Sequence, residues 1–66
     1  MFAPYQQCVI EEYDELHVKV KALEKFIASA AFDSVDVKEQ FRITQQLDAM
    51  KAYELCLEDR ISNFDF

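Results

Sequence analysis

The 66-residue chain has no glycine, no tryptophan, one proline and one histidine. Tight sheet turns draw on glycine for positive φ, so its absence argues against strands and for helices joined by few turns. With a lone histidine, and cysteines only at Cys8 and Cys56, the chain cannot assemble a zinc set or a CxxC unit. There is no glycine-rich phosphate loop. No apolar run is long enough to span a bilayer, so no membrane partner is expected. Residues 1–7 are neither basic nor followed by the apolar stretch of a leader, so the expected compartment is the cytoplasm. There, both thiols are expected to be free and buried as small hydrophobes.

What is present is apolar and charged in a regular order. The hydrophobic fraction is 52%, with six Phe and three Tyr, which excludes a disordered tail. A chain this short makes one domain, residues 1–66, and is marginally stable alone. The net charge of −6 argues against direct DNA or RNA binding, which needs a basic face. That charge is unevenly placed. Residues 1–18 and 52–66 hold eight acids against Arg60 alone, whereas residues 19–51 hold six bases against five acids.

Helix 1 is expected over about residues 4–31. Pro4 suits a first turn, and Val9, Tyr13, Leu16, Val20, Leu23, Ile27 and Ala30 follow at alternating spacings of four and three. The stretch from Phe32 to Asp36 interrupts the stripe. Asp36 with Glu39 fits the start of a second helix, with Ser34 as an alternative cap, and this helix is expected over about 36–63. It carries Ile43, Leu47, Met50, Leu57, Ile61 and Phe64 at the same spacing, with Glu54 in the one slot that should be apolar. A second apolar set, Phe41, Ala49, Ala52, Leu55 and Cys56, implies a second neighbour besides helix 1.

A five-residue connection makes the pair antiparallel, with facing positions whose numbers sum to about 67. Lys25 then faces Arg42, Tyr13 faces Glu54, and Cys8 comes within a turn of Cys56, close enough for an opportunistic disulfide. The fold class read from the sequence is therefore all-α: an antiparallel two-helix hairpin assembling into a homo-oligomeric helical bundle. Its open end is acidic, which resists tip-to-tail stacking and favours side-by-side assembly.

No catalytic set stands out, and the chain reads as a non-enzyme with no cofactor and no metal. His17 lies about 13 Å along the helix from Cys8, too far for a Cys–His pair, and reads as a solvated residue. Glu11, Glu12, Asp14 and Glu15 read as a solvated face. Glu54 reads either as a polar group paired with Tyr13 or a base, or as a side chain reaching water. Lys19, Lys25 and Arg42 are candidates for an anion site, or else for surface pairs with Glu24, Glu39 or Asp48. Tyr5 and Tyr53 offer flat faces for stacking on a base, or else belong to the core.

The order Tyr5-Gln6-Gln7-x-Val9-x-Glu11-Glu12, then Leu16, Leu23-x-x-Phe26-Ile27 and Phe32, ends in Leu47-x-x-Met50-x-x-Tyr53-x-x-x-Leu57-x-x-Arg60-Ile61. It resembles a widespread family of very small phage and prophage proteins first labelled from a crAss-like phage. The likeness covers nearly the whole chain, with Cys8 standing where a basic residue is expected. It implies an accessory role in host takeover, in the cytoplasm of a bacterial host. In size and architecture the chain is also similar to the anti-CBASS sponges, which hold cyclic oligonucleotides between subunits; no site residues carry over from them. Two functions are implied. One is sequestration of a cyclic di- or trinucleotide at inter-subunit pockets, with Tyr5, Lys19, Lys25, Arg42, Tyr53 and Arg60 as ligand-binding candidates. The other is an acidic inhibitor that binds a host defence protein in the manner of a nucleic acid.

Overall fold

The computed structural model describes residues 2–64, and among them it contains three helices and no strand. They are α1 (Pro4–Ile27), α2 (Ala30–Asp33) and α3 (Val37–Ser62). Asp65, counted above with the acidic end, lies outside the described residues.

At the start of α1, Pro4 occupies the first turn, and the Gln6 side chain accepts the Ala3 N–H at 2.8 Å. Ala3 has no side chain to cap with, so Gln6 does the capping alone. This explains why Gln6 is buried.

α1 stops at Ile27, one turn short of the expected end near residue 31. The cause is Ser29. Its hydroxyl donates to the Phe26 carbonyl at 2.6 Å and its N–H to the same carbonyl at 3.0 Å, while its own backbone turns extended (φ −88°, ψ 160°). Phe26 and Phe32 then meet edge to face at 5.9 Å across the break. Asp36, not Ser34, caps α3, accepting the Lys38 N–H at 3.1 Å. Ser34 instead closes α2 by donating to the Ala31 carbonyl. The Gln40 amide nitrogen donates to both Phe32 O and Val35 O at 2.9 Å, so α3 itself satisfies carbonyls that a glycine C-cap would otherwise serve.

Contacts between the long helices pair rising numbers in α1 with falling numbers in α3: Tyr5 with Phe64, Tyr13 with Glu58, His17 with Glu54, and Glu24 with Lys51. The two therefore lie side by side with opposite chain directions. Facing numbers sum to 69–75 across these contacts rather than 67, roughly one turn from the expected register. The early stop of α1 is the physical reason: α3 runs its first turns past the end of α1, where α2 and Gln40 meet it. Glu58, not Glu54, faces Tyr13.

The core consists of Val9, Leu16, Val20, Leu47 and Leu57, flanked by half-buried Tyr13, Leu23, Ile27, Met50, Ile61 and Phe64. All belong to the two stripes. Leu57 (1% exposed) and Val20 (2%) are the best buried, each worth about 1.5–3 kcal/mol of transfer free energy. Cys8 and Cys56 are free but exposed, contrary to the expected burial, because each stands one position before a seam residue, Val9 and Leu57, and so about 100° round its helix from it. The molecule is a rod of 47 × 15 × 14 Å.

Candidate functional site

The seam between α1 and α3 has two flanks. One is polar and closed. The Tyr13 hydroxyl donates to Glu58 Oε1 at 2.8 Å, and its ring stacks on His17 with centroids 5.7 Å apart and planes 17° from parallel. His17 Nδ1 lies 3.1 Å from Glu54 Oε2, so His17 joins an interhelix contact instead of standing in solvent, and Glu54 fills its odd slot by pairing. Glu24 takes Lys51 at 3.2 Å across the helices and Lys21 at 3.6 Å along its own. The hydrogen bond to Glu58 raises the Tyr13 pKa above its usual value, helped by burial and by the charges of Glu58, Glu54 and Asp14. The Lys51 bond lowers that of Glu24, with desolvation opposing and the charges of Lys51 and Lys21 assisting.

The other flank is open. Lys19, Ala22, Leu23 and Phe26 of α1 and Gln46 and Met50 of α3 line a shallow groove of about 360 Å³. Its floor is Leu23 and Met50, which pack on the core. Its polar groups are the Lys19 ammonium, which forms no ion pair among the described residues, and the Gln46 amide, whose contact is the Met50 sulfur at 3.8 Å. All three side-chain polar contacts between α1 and α3 described above lie on the closed flank.

Lys19 is the one predicted site residue in the groove wall. Residues seven apart share a helix face. Phe26, Lys19, Glu12 and Tyr5 therefore run down the groove side of α1, and Gln46, Tyr53 and Arg60 down that of α3, with Arg42 one turn before Gln46. Five of the six candidates share this side of the molecule. They do not converge in one chain. Lys19 and Tyr53 stand at about the same level, whereas Tyr5 lies about 21 Å from Lys19 along the axis. Arg42 is already paired with Glu39 at 3.3 Å, and Tyr5 meets Phe64 edge-on at 6.1 Å. Lys25 follows exposed Val18 by seven residues and so sits on the outer face of α1.

Sequence reasoning missed the groove lining of Ala22, Leu23, Phe26, Gln46 and Met50, and the parts that His17 and Glu58 play on the closed flank. Both depend on register. A seven-residue projection from Lys19 would have found Phe26; nothing in the sequence marks Gln46. Among the described residues no group of three or more His, Cys, Asp or Glu is placed to hold a metal ion, and no helix is long and apolar enough to cross a membrane.

Residues 3–63 match the family model described as Sequestin. The chain is 48% identical over 60 residues to a protein of Enterobacteria phage T4, described as an uncharacterized 7.5 kDa protein in the denB-rIIB intergenic region; the match spans 91% of this chain and 94% of that one. No solved structure matches. The chain, all-helical and with a phage relative along nearly its whole length, thus belongs to the Sequestin family.

Proposed function

We propose that this protein is a phage accessory counter-defence protein that binds a host cyclic oligonucleotide signal and sequesters it without turnover, in the cytoplasm of the infected bacterium. Its working form is a homo-oligomer of helical hairpins with the ligand held between subunits. The observation that carries this reading is the open flank: an apolar groove bordered by an unpaired ammonium, Lys19, with Tyr53 at the same level on the facing helix. Such a surface takes a flat base against its apolar floor and a phosphate at its rim. The family description supports a sequestering role, and the relative in a phage supports a phage setting for it. One chain offers a groove and not an enclosure, so a second copy supplies the other wall and brings Arg60, Tyr5 or Arg42 to the same ligand. The net charge of −6 opposes anion binding. Much of that charge is screened, because it acts within about 8 Å at physiological salt and Glu11, Glu58 and Asp59 lie farther from Lys19 than that. Glu15, one turn from Lys19, is the acid that opposes an anion there.

A thermal-shift screen against cyclic di- and trinucleotides, with linear nucleotides as controls, tests the proposal. A ligand at 100 times its Kd adds about 2.7 kcal/mol, which raises the melting temperature of a domain this small by roughly 10–20 °C. Lys19→Ala weakens that binding roughly tenfold or more, the loss of one charge-assisted bond. No shift with any cyclic species sinks the reading.

A second reading rests on the acidic open end, where Glu11, Glu12, Asp14 and Glu15 of α1 come beside Glu58 and Asp59 of α3. This surface fits an inhibitor that occupies a nucleic-acid site on a host defence protein. Reversing Glu11 and Asp14, on the outer face of α1, to Lys abolishes that activity and spares nucleotide binding; Lys19→Ala does the opposite. Glu58 is left intact in this test because it holds Tyr13.

A further inference from the structure

The outer faces of the two long helices differ. On α1, Glu11, Asp14, Lys21 and Lys25 surround a single large apolar residue, Val18. On α3, Val37 is 75% exposed and Phe41 and Leu55 are each 65% exposed. Helical spacing places these three on one face with Ala52, opposite the seam that buries Leu47 and Leu57.

We propose that this outer face of α3 is the surface through which a second copy of the chain docks, with the two α3 helices antiparallel to each other. The proposal deepens the homo-oligomer reading above and rests on it.

Three observations select a second copy as the occupant. The first is area. A folded monomer of this mass has an accessible surface of about 4,400 Å², so the observed 5027 Å² leaves roughly 600 Å² per copy in excess. Burying that excess on two copies removes about 1,200 Å², the lower bound for a specific, stable interface. The second is shape. The radius of gyration is 15.1 Å against about 11 Å for a compact domain of this length, and pairing two rods along their long sides relieves that elongation.

The third is charge. Lys38 flanks the stripe at its start and Asp59 at its end, with Asp48 at mid-length. Parallel pairing sets each of these against its own kind. Antiparallel pairing brings Lys38 of each copy toward Asp59 of the other in two opposite-charge pairs. It leaves one like pair, the two Asp48 residues level near the two-fold axis, against three like pairs in the parallel arrangement. The groove, on a different side of the α1–α3 pair, stays free for a further copy to close over a ligand, so this face supplies one of the two contacts that the ligand-bound assembly uses.

The test uses the protein's own thiols. Cys56 flanks this stripe and Cys8 lies on α1, and both are exposed in the single chain. Thiol labelling of the full chain is followed from nanomolar to 100 micromolar protein beside light scattering. The expected result is a mass twice the 7.8 kDa of one chain at high concentration, with Cys56 labelling slowed at least fivefold and Cys8 unchanged. Lys38→Glu weakens self-association about tenfold, and adding Asp59→Lys to it restores wild-type association. A multimer in which Cys8 is protected and Cys56 is not overturns this face and leaves the homo-oligomer reading standing. So does a multimer indifferent to both charge substitutions. A monomer at 100 micromolar overturns both.

Discussion

The two flanks of the seam are built from the same two helices and do different things. The closed flank holds Tyr13, His17 and Glu24 against Glu58, Glu54 and Lys51, and those bonds set how far one helix slides past the other. The open flank has the groove and Lys19, which forms no ion pair among the described residues. A short rod cannot be fastened on both sides and still present a concave surface, so fastening one side frees the other. This division explains how a chain with five buried core residues keeps a defined register while leaving Lys19 available.

The largest expected effect removes what both flanks share. Leu57→Ala deletes the best-buried side chain, costs about 2–5 kcal/mol and leaves most of the protein unfolded at 37 °C, read by circular dichroism. Next comes the closed flank. Glu54→Ala leaves His17 without its partner and costs about 1 kcal/mol, seen as a lower urea midpoint.

The pH dependence follows from the same flank. The folded pKa of Tyr13 is raised, so its contribution is fully present below the unfolded value of 10.0 and is lost as pH rises through the folded value. That of Glu24 is lowered, so its contribution is present above 4.5 and is lost as pH falls through the folded value. Melting temperature against pH therefore falls in strong alkali and in acid, and Tyr13→Phe softens the alkaline limb while leaving the acid limb in place. The smallest effect belongs to the open flank. Lys19→Ala changes stability by less than about 0.5 kcal/mol, so that any loss of ligand binding reads as a loss of contact.

The stripes were legible because they obey a period: Val9, Leu16, Val20, Leu47 and Leu57 were all expected inward, and all are buried. The cap at Asp36 was legible because a short acidic side chain before Glu39 is a local signal. The end of α1 was not. Ala28 and Ser29 carry none of the usual stop marks, and Ser29 acts only because Phe26 and Phe32 can meet across it. From that stop came the shifted register, and from the register came the His17–Glu54 pair and the lining of the groove. The six candidate residues were chosen for chemistry alone; that five share a side was available from seven-residue arithmetic, and their separation along the rod was not.

The Gln40 amide bears on the order of folding. It joins residues only five and eight apart, whereas the Tyr13–Glu58 bond closes a span of 45. Loop closure costs less entropy for the shorter span, so the bend at residues 28–40 is expected to form first and the helices to zip from there toward the termini. Gln40→Ala would then slow refolding more than it speeds unfolding, and Glu58→Ala would do the reverse.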